Sequence, residues 1–217
     1  LSKLASSKPT VLLKEKAYQH IREAILSEVF PPGEFLSESR LIDFLGMSKT
    51  PIKSALDRLE AEGFVTVSPK QGIIVRELSI TKARDIFELR VALELFVCEL
   101  LSGKLKQEQI ALFRELLDKQ KAAAESGDEV AFTKGDTDFH VFLAHCSGNA
   151  EIDQLMTNYQ AHLYRFALRV IKRVPNRMFE AYQDHEDILQ ALIAGDLEQS
   201  KNRMREHLVF GKMILTN

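Results

Sequence analysis

The chain has 217 residues, 45% of them hydrophobic, and a formal net charge of −2. That length suits one large domain or two modest ones. The apolar content supports a packed core and excludes an intrinsically disordered chain. No apolar run approaches the roughly 18 residues that a membrane span requires, and the opening LSKLASSKPTVLL lacks the apolar block of a secretory signal. Two cysteines, Cys98 and Cys146, are too few for a disulfide framework, so a cytoplasmic protein with reduced thiols and no membrane association is expected. Residues 1–76 hold 11 Lys and Arg against 9 Asp and Glu, net +2; residues 77–217 hold 18 against 22, net −4. With so small a bias, nucleic-acid binding would have to rest on local placement of basic side chains.

The first third of the chain is mixed in character. LLKEKAYQHIREAILSEVF places Ala17, Ile21 and Ile25, with Leu13, on one helical face, and the Pro31–Gly33 run is expected to stop that helix. ESRLIDFLG follows as a short helix with Ser37 as N-cap and Gly46 at its end. SKTPIKSALDRLEAEG reads as a third helix: Ser48 caps it, Pro51 sits in the first turn where a missing N–H is harmless, and Gly63 closes it. Two β-branched runs then flank Ser68–Gly72, the signature of a hairpin. Helix, helix, tight turn, helix and hairpin in about 65 residues is the plan of a winged helix-turn-helix, a common DNA-reading module. Its third helix would enter the major groove, with Ser48, Lys49, Thr50 and Lys53 near base edges and phosphates. The hairpin tip, Lys70, Gln71 and Gly72, would reach the backbone or the minor groove. The competing reading is ordinary solvated charge on a small α/β domain.

Beyond residue 78 the strand signals vanish. Six helices are expected, at roughly 81–101, 107–126, 128–145, 149–172, 176–194 and 196–215, with breaks at Ser102-Gly103, Ser126-Gly127, Ser147-Gly148-Asn149, Pro175 and Gly195. The fold class is therefore mostly α: a winged helix-turn-helix over residues 1–78 and an all-α six-helix bundle over residues 79–217. Phosphate-binding loops, dinucleotide fingerprints and nucleophile elbows are absent from the sequence.

Within DTDFHVFLAHCSGN, Asp136 and His140 lie four residues apart on one helical face, beside the apolar Phe139, Phe142 and Leu143. Such a pair serves as a surface salt bridge, an acid–base pair or half of a metal site. His185 and His207 lie amid apolar stripes of two later helices, and a helical bundle can bring ligands on separate helices together at its centre. One carboxylate with three imidazoles suits zinc, nickel, manganese or iron and not calcium or magnesium, which prefer oxygen. Cys146, near His140, is a further ligand candidate, with a buried free thiol as the alternative. His162, Arg165 and Arg169 could line the same interior, with ordinary structural roles for each as the alternative.

These stretches together resemble the GntR family of transcription regulators, in the branch whose C-terminal half is an all-helical ligand-binding FCD domain. PPGEFLSESRLIDFLGMSKTPIKSALDRLEAEGFVTVSPKQGIIV is similar to that family's DNA-binding signature nearly end to end. ELRVALE, DTDFHVFLAHCSGN and HEDILQALIAGDLEQSKNRMREHL resemble motifs of the C-terminal domain. Coverage runs from about residue 14 to 210, and six C-terminal helices resemble the VanR-type subgroup. The resemblance implies a homodimer on an inverted-repeat DNA operator and metal ligation by Asp136, His140, His185 and His207, often to zinc. It also implies a small organic acid effector bound at open metal positions, with Arg90 of ELRVALE as its clamp, and repression released by ligand. Arg90 could equally pair with Glu94 one turn on. The DNA-binding half departs from the family pattern where Ser39, Lys49 and Lys53 replace arginines and Ser54 replaces a glutamate. Lysine holds phosphate as a point charge but lacks the fork that reads guanine. Arg40, next to Ser39, could substitute, although it points about 100° away on an ideal helix. A metal-dependent enzyme acting on a small organic acid, or a sensor of metal alone, are the other functions compatible with these residues.

Overall fold

A computed structural model of the chain describes residues 8–68, 72–77 and 79–216, with side chains from residue 13 onward. The chain divides into two compact units, Leu1–Glu77 and Leu78–Asn217. Among the described residues no helix is long and apolar enough to cross a membrane.

The first unit runs α1 (Lys8–Leu26), β1 (Phe35–Leu36), α2 (Glu38–Leu45), α3 (Lys49–Ala61), β2 (Val65–Ser68) and β3 (Gly72–Val75). Ala17, Ile21 and Ile25 face its core as expected, joined by Tyr18 and Ala24, whereas Leu13 is exposed. α1 ends before the Pro31–Gly33 run. Glu28 adopts a left-handed conformation (φ 59°), and the Phe30 amide folds back onto the Ala24 carbonyl. The three strands form an antiparallel sheet in the order β1-β3-β2. β1 was not expected from the sequence. Two residues are too short to show a strand pattern, and this strand exists because the free edge of β3 pairs with Phe35 and Leu36. Gly72 is required at the start of β3, where φ is 88°. A Cβ there would stand 2.6 Å from the Phe35 ring.

The two caps of the helix-turn-helix differ. The Ser37 hydroxyl accepts a hydrogen bond from the Arg40 amide at 3.1 Å, and Gly46 closes α2 in the left-handed region. Ser48 occupies the N-cap position of α3, but its side chain makes no capping bond. Ser37→Ala is therefore expected to cost about 1 kcal/mol and Ser48→Ala clearly less. Paired chemical denaturation curves check this; equal losses would count against it.

The second unit is helical: α4 (Ile80–Leu101), α5 (Gln107–Ser126), α6 (Glu129–Cys146), α7 (Ala150–Arg173), α8 (Arg177–Ala194) and α9 (Leu197–Thr216). Starts are set by side chains that accept from first-turn amides: Ser79 for α4, Asp128 for α6 and Asn149 for α7. Gly127 and Gly195, both left-handed, end α5 and α8. Phe113, Phe139, Leu143, Phe166, Ile188, Leu192, Met204 and Leu208 form the centre of its core. Into that apolar interior the helices also carry Glu94, Gln120, His140 and His185, each at most 1% exposed. Burying so many polar groups is costly unless each is paired.

Candidate metal centre and nucleic-acid interface

Asp136 and His140 project from one face of α6, as their spacing requires, and α8 and α9 bring His185 and His207 to the same place. One ligand atom from each of the four lies within 4.8 Å of the others, and all four residues are buried. The His207 Nε2 atom is 3.2 Å from that of His140 and 3.3 Å from that of His185. Asp136 Oδ1 is 3.7 Å from His185 Nε2.

The outward nitrogen of each ring is held by another helix. His140 Nδ1 meets Glu94 Oε2 of α4 at 2.5 Å, and His207 Nδ1 meets Asp184 Oδ2 of α8 at 3.0 Å. His185 Nδ1 meets Gln120 Oε1 of α5 at 2.8 Å. Carboxylate and amide oxygens accept, so each Nδ1 donates and each Nε2 presents a lone pair inward; Arg177 Nη2, a donor only, lies 3.2 Å from His207 Nδ1 because both groups donate to Asp184 Oδ2. The His207 lone pair stands 3.2 Å from that of His140 and 3.3 Å from that of His185, and such contacts are repulsive unless a cation lies between them. Donor atoms around a metal with bonds of about 2.0–2.1 Å stand roughly 2.8–3.0 Å apart in an octahedral and 3.3–3.4 Å apart in a tetrahedral arrangement. The donor set fits a transition metal, and Glu94, Gln120 and Asp184 are the outer hydrogen-bond partners that metal-ligating histidines need.

Electrostatics agree with this geometry. Burial holds His140 and His185 well below the ordinary histidine range, with the charge of the Arg90 guanidinium adding to the effect, so both rings are neutral. Burial pushes Asp136 and Glu94 upward against the opposing charge of Arg90. Burial also pushes Asp184 upward, but the hydrogen bonds from His207 and Arg177 and the Arg177 charge outweigh it and leave its carboxyl low. Arg177, at the start of α8, donates to Asp184 at 2.8 Å and lies over the Phe210 ring.

Arg90 is buried on α4 and donates through Nε to Glu94 Oε1 at 2.7 Å. The expected Arg90–Glu94 pair thus forms, but inside the bundle, and the same carboxylate holds His140. Arg90 Nη2 is buried without a partner. Cys146 lies outside the four-residue group and is half-buried at the end of α6; burial pushes its thiol up to about 11, which keeps it protonated. Arg165 is buried on α7, whereas His162 and Arg169 are half-buried.

Sequence reasoning missed Gln120, Arg177 and Asp184, and named Glu94 only as an ion-pair partner. One signal was available. Gln120 continues the stripe Phe113, Leu117, Gln120, Ala124 on the buried face of α5, where an amide needs a partner.

In the first unit, Ser48, Lys49, Thr50 and Lys53 are exposed at the start of α3. Lys49 Nζ is 2.6 Å from Glu38 Oε2, both well exposed. Such pairs contribute about 0–1 kcal/mol and exchange readily for another anion. Arg40 is likewise exposed: it pairs with Glu34 at 2.6 Å and lies over the Phe30 ring. Gly72 is in place at the hairpin; Lys70 and Gln71 lie outside the described residues.

Comparison with known proteins gives the same division. Residues 13–75 match the gntR family of bacterial regulatory proteins, and residues 85–210 match the FCD domain. An uncharacterised helix-turn-helix transcriptional regulator of Streptomyces ambofaciens is 30% identical over 192 residues, 88% of this chain and 80% of its own length. Another, from Agrobacterium vitis, is 37% identical over 134 residues, 60% of this chain and 78% of its own. The solved structure of McbR/YncC from E. coli superposes with a TM-score of 0.78 at 23% identity, covering 98% of each chain. The chain therefore belongs to the GntR family of bacterial regulatory proteins, in the group that carries an FCD domain, and is a DNA-binding transcription regulator of that type.

Proposed function

We propose that Asp136, His140, His185 and His207 hold one divalent transition metal ion, zinc before nickel, manganese or iron, and that a small organic acid binds beside it and changes DNA affinity. The observation that carries this reading is the convergence of three imidazole lone pairs whose outer nitrogens are each held by a separate helix. When bound, the ion supplies a Lewis-acidic positive charge that attracts a carboxylate. Arg90 is the second half of the effector site. Its buried, unpartnered Nη2 is a donor that costs about 1–3 kcal/mol while unsatisfied, and a carboxylate would satisfy it. Turnover is the less favoured reading, since Glu94 and Asp184 are already engaged with imidazoles and are not free bases.

In this proposal residues 1–78 read DNA and residues 79–217 sense the effector and dimerise. Ser48, Lys49, Thr50 and Lys53 meet the major groove, Lys70, Gln71 and Gly72 touch the backbone or the minor groove, and Arg40 supports the approach. A cytoplasmic homodimer on an inverted repeat matches two recognition helices to two half-sites. Repression relieved by the effector is the direction the family resemblance implies.

Binding of the full chain to DNA upstream of its own gene, across a salt series with competitor DNA, tests the first half. Lys49→Ala with Lys53→Ala is expected to lower affinity and reduce the salt slope by about 2, close to one unit per lost phosphate contact. An unchanged slope would remove those lysines from the interface. Titrating small carboxylates into the same assay tests the second half: one of them should shift affinity in wild type and fail with Arg90→Leu.

A further inference from the structure

We propose that Gln120 and Gly135 together form a lock on the tautomer and orientation of His185, which makes Gln120 a positioning residue for the metal; the ion itself rests on the reading given above. Gln120 is fully buried. Its Nε2 donates to the Gly135 carbonyl of α6 at 3.0 Å. A carbonyl only accepts, so this bond fixes which end of the amide is nitrogen and turns Oε1 toward His185 Nδ1, 2.8 Å away. His185 must then carry its proton on Nδ1. The plane of the ring is set separately by Phe139, stacked on it at 4.3 Å and 12°. Phe139 fixes the plane, and Gln120 fixes the rotation within it.

Gly135 makes this reach possible. A Cβ at that position would stand 2.8 Å from Gln120 Cγ. Cγ is the near end of the glutamine side chain, so the side chain would have to leave its rotamer. Glycine within a helix is disfavoured by about 0.5–1 kcal/mol relative to alanine, and the close approach of α5 to α6 is what it permits here.

The alternative tautomer shows why a lock matters. With its proton on Nε2, His185 would donate to the His207 Nε2 lone pair, 3.3 Å away. That neutral hydrogen bond fills the centre of the site and excludes a cation. Glu94 and Asp184 hold their histidines with carboxylates, whereas His185 is held by a neutral amide whose direction depends on one backbone carbonyl. Outer-partner losses of this kind typically weaken metal binding about 10- to 100-fold.

The test uses the full chain as wild type, Gln120→Leu and Gly135→Ala. Long-range nitrogen–proton NMR reads the His185 tautomer in chelator-treated protein, and zinc affinity is measured by competition with a chelating dye. Wild type is expected to carry the proton on Nδ1. Both variants are expected to shift it toward Nε2 and to bind zinc about 10- to 100-fold more weakly. Gly135→Ala removes no polar group but drives the Gln120 side chain from its rotamer, so zinc affinity is compared only after circular dichroism and denaturation curves show each variant folded. A wild-type proton on Nε2, or Gly135→Ala binding zinc like wild type with an unchanged tautomer, would overturn the lock. If wild type takes up no zinc, the metal reading falls, and the tautomer shift still upholds or overturns the role of Gln120.

Discussion

Replacing Glu94 with leucine is expected to destabilise the protein by about 3–5 kcal/mol, the usual loss when one partner of a buried ion pair is removed. Two groups are orphaned together. The Arg90 guanidinium loses the acceptor of its Nε, and with Nη2 already unpartnered it becomes a buried, largely uncompensated charge. The His140 Nδ1–H loses its acceptor as well. In thermal melts the loss should appear as a fall of about 10 °C or more. Glu94→Gln keeps one acceptor oxygen and should fall less. A change below about 1 kcal/mol in Glu94→Leu would mean that this carboxylate does not bridge Arg90 and His140 inside the bundle, since surface substitutions behave that way.

Metal removal is expected to have an effect of similar size. The ligands and their outer partners come from α4, α5, α6, α8 and α9, so an ion at their centre ties five helices. A ligand that binds only the folded state stabilises by about 4 kcal/mol at a thousandfold excess over its dissociation constant. Melting temperatures with zinc and with strong chelator should therefore differ by about 10 °C. In His185→Ala with His207→Ala the two melts should coincide. A chelator-induced shift that survives in that double variant would place the stabilising metal elsewhere.

The six C-terminal helices were legible because each pairs an apolar period with a physical stop: Gly127 and Gly195 end α5 and α8, and Asn149 caps α7. The candidate ligand set was legible in part. Asp136 and His140 are local, whereas the convergence of His185 and His207 is tertiary, and only the fold brings them within reach. β1 and the early end of α1 were not legible. Pairing with β3 creates the first, and the second depends on the Phe30 amide folding back onto the Ala24 carbonyl, which no local signal marks. Glu94 looked like a routine one-turn partner of Arg90 because sequence does not show burial. Ser48 looked like a cap because its residue type and position fit one, but no hydrogen bond follows.

The most direct measurement is the metal content of purified wild type and of the His185→Ala/His207→Ala variant, by elemental mass spectrometry after equilibration with zinc and removal of free ion. One equivalent per chain in wild type, and none retained by a folded double variant, is the expected result. A double variant that keeps a full, tightly held equivalent would contradict the assignment of Asp136, His140, His185 and His207 as one metal site.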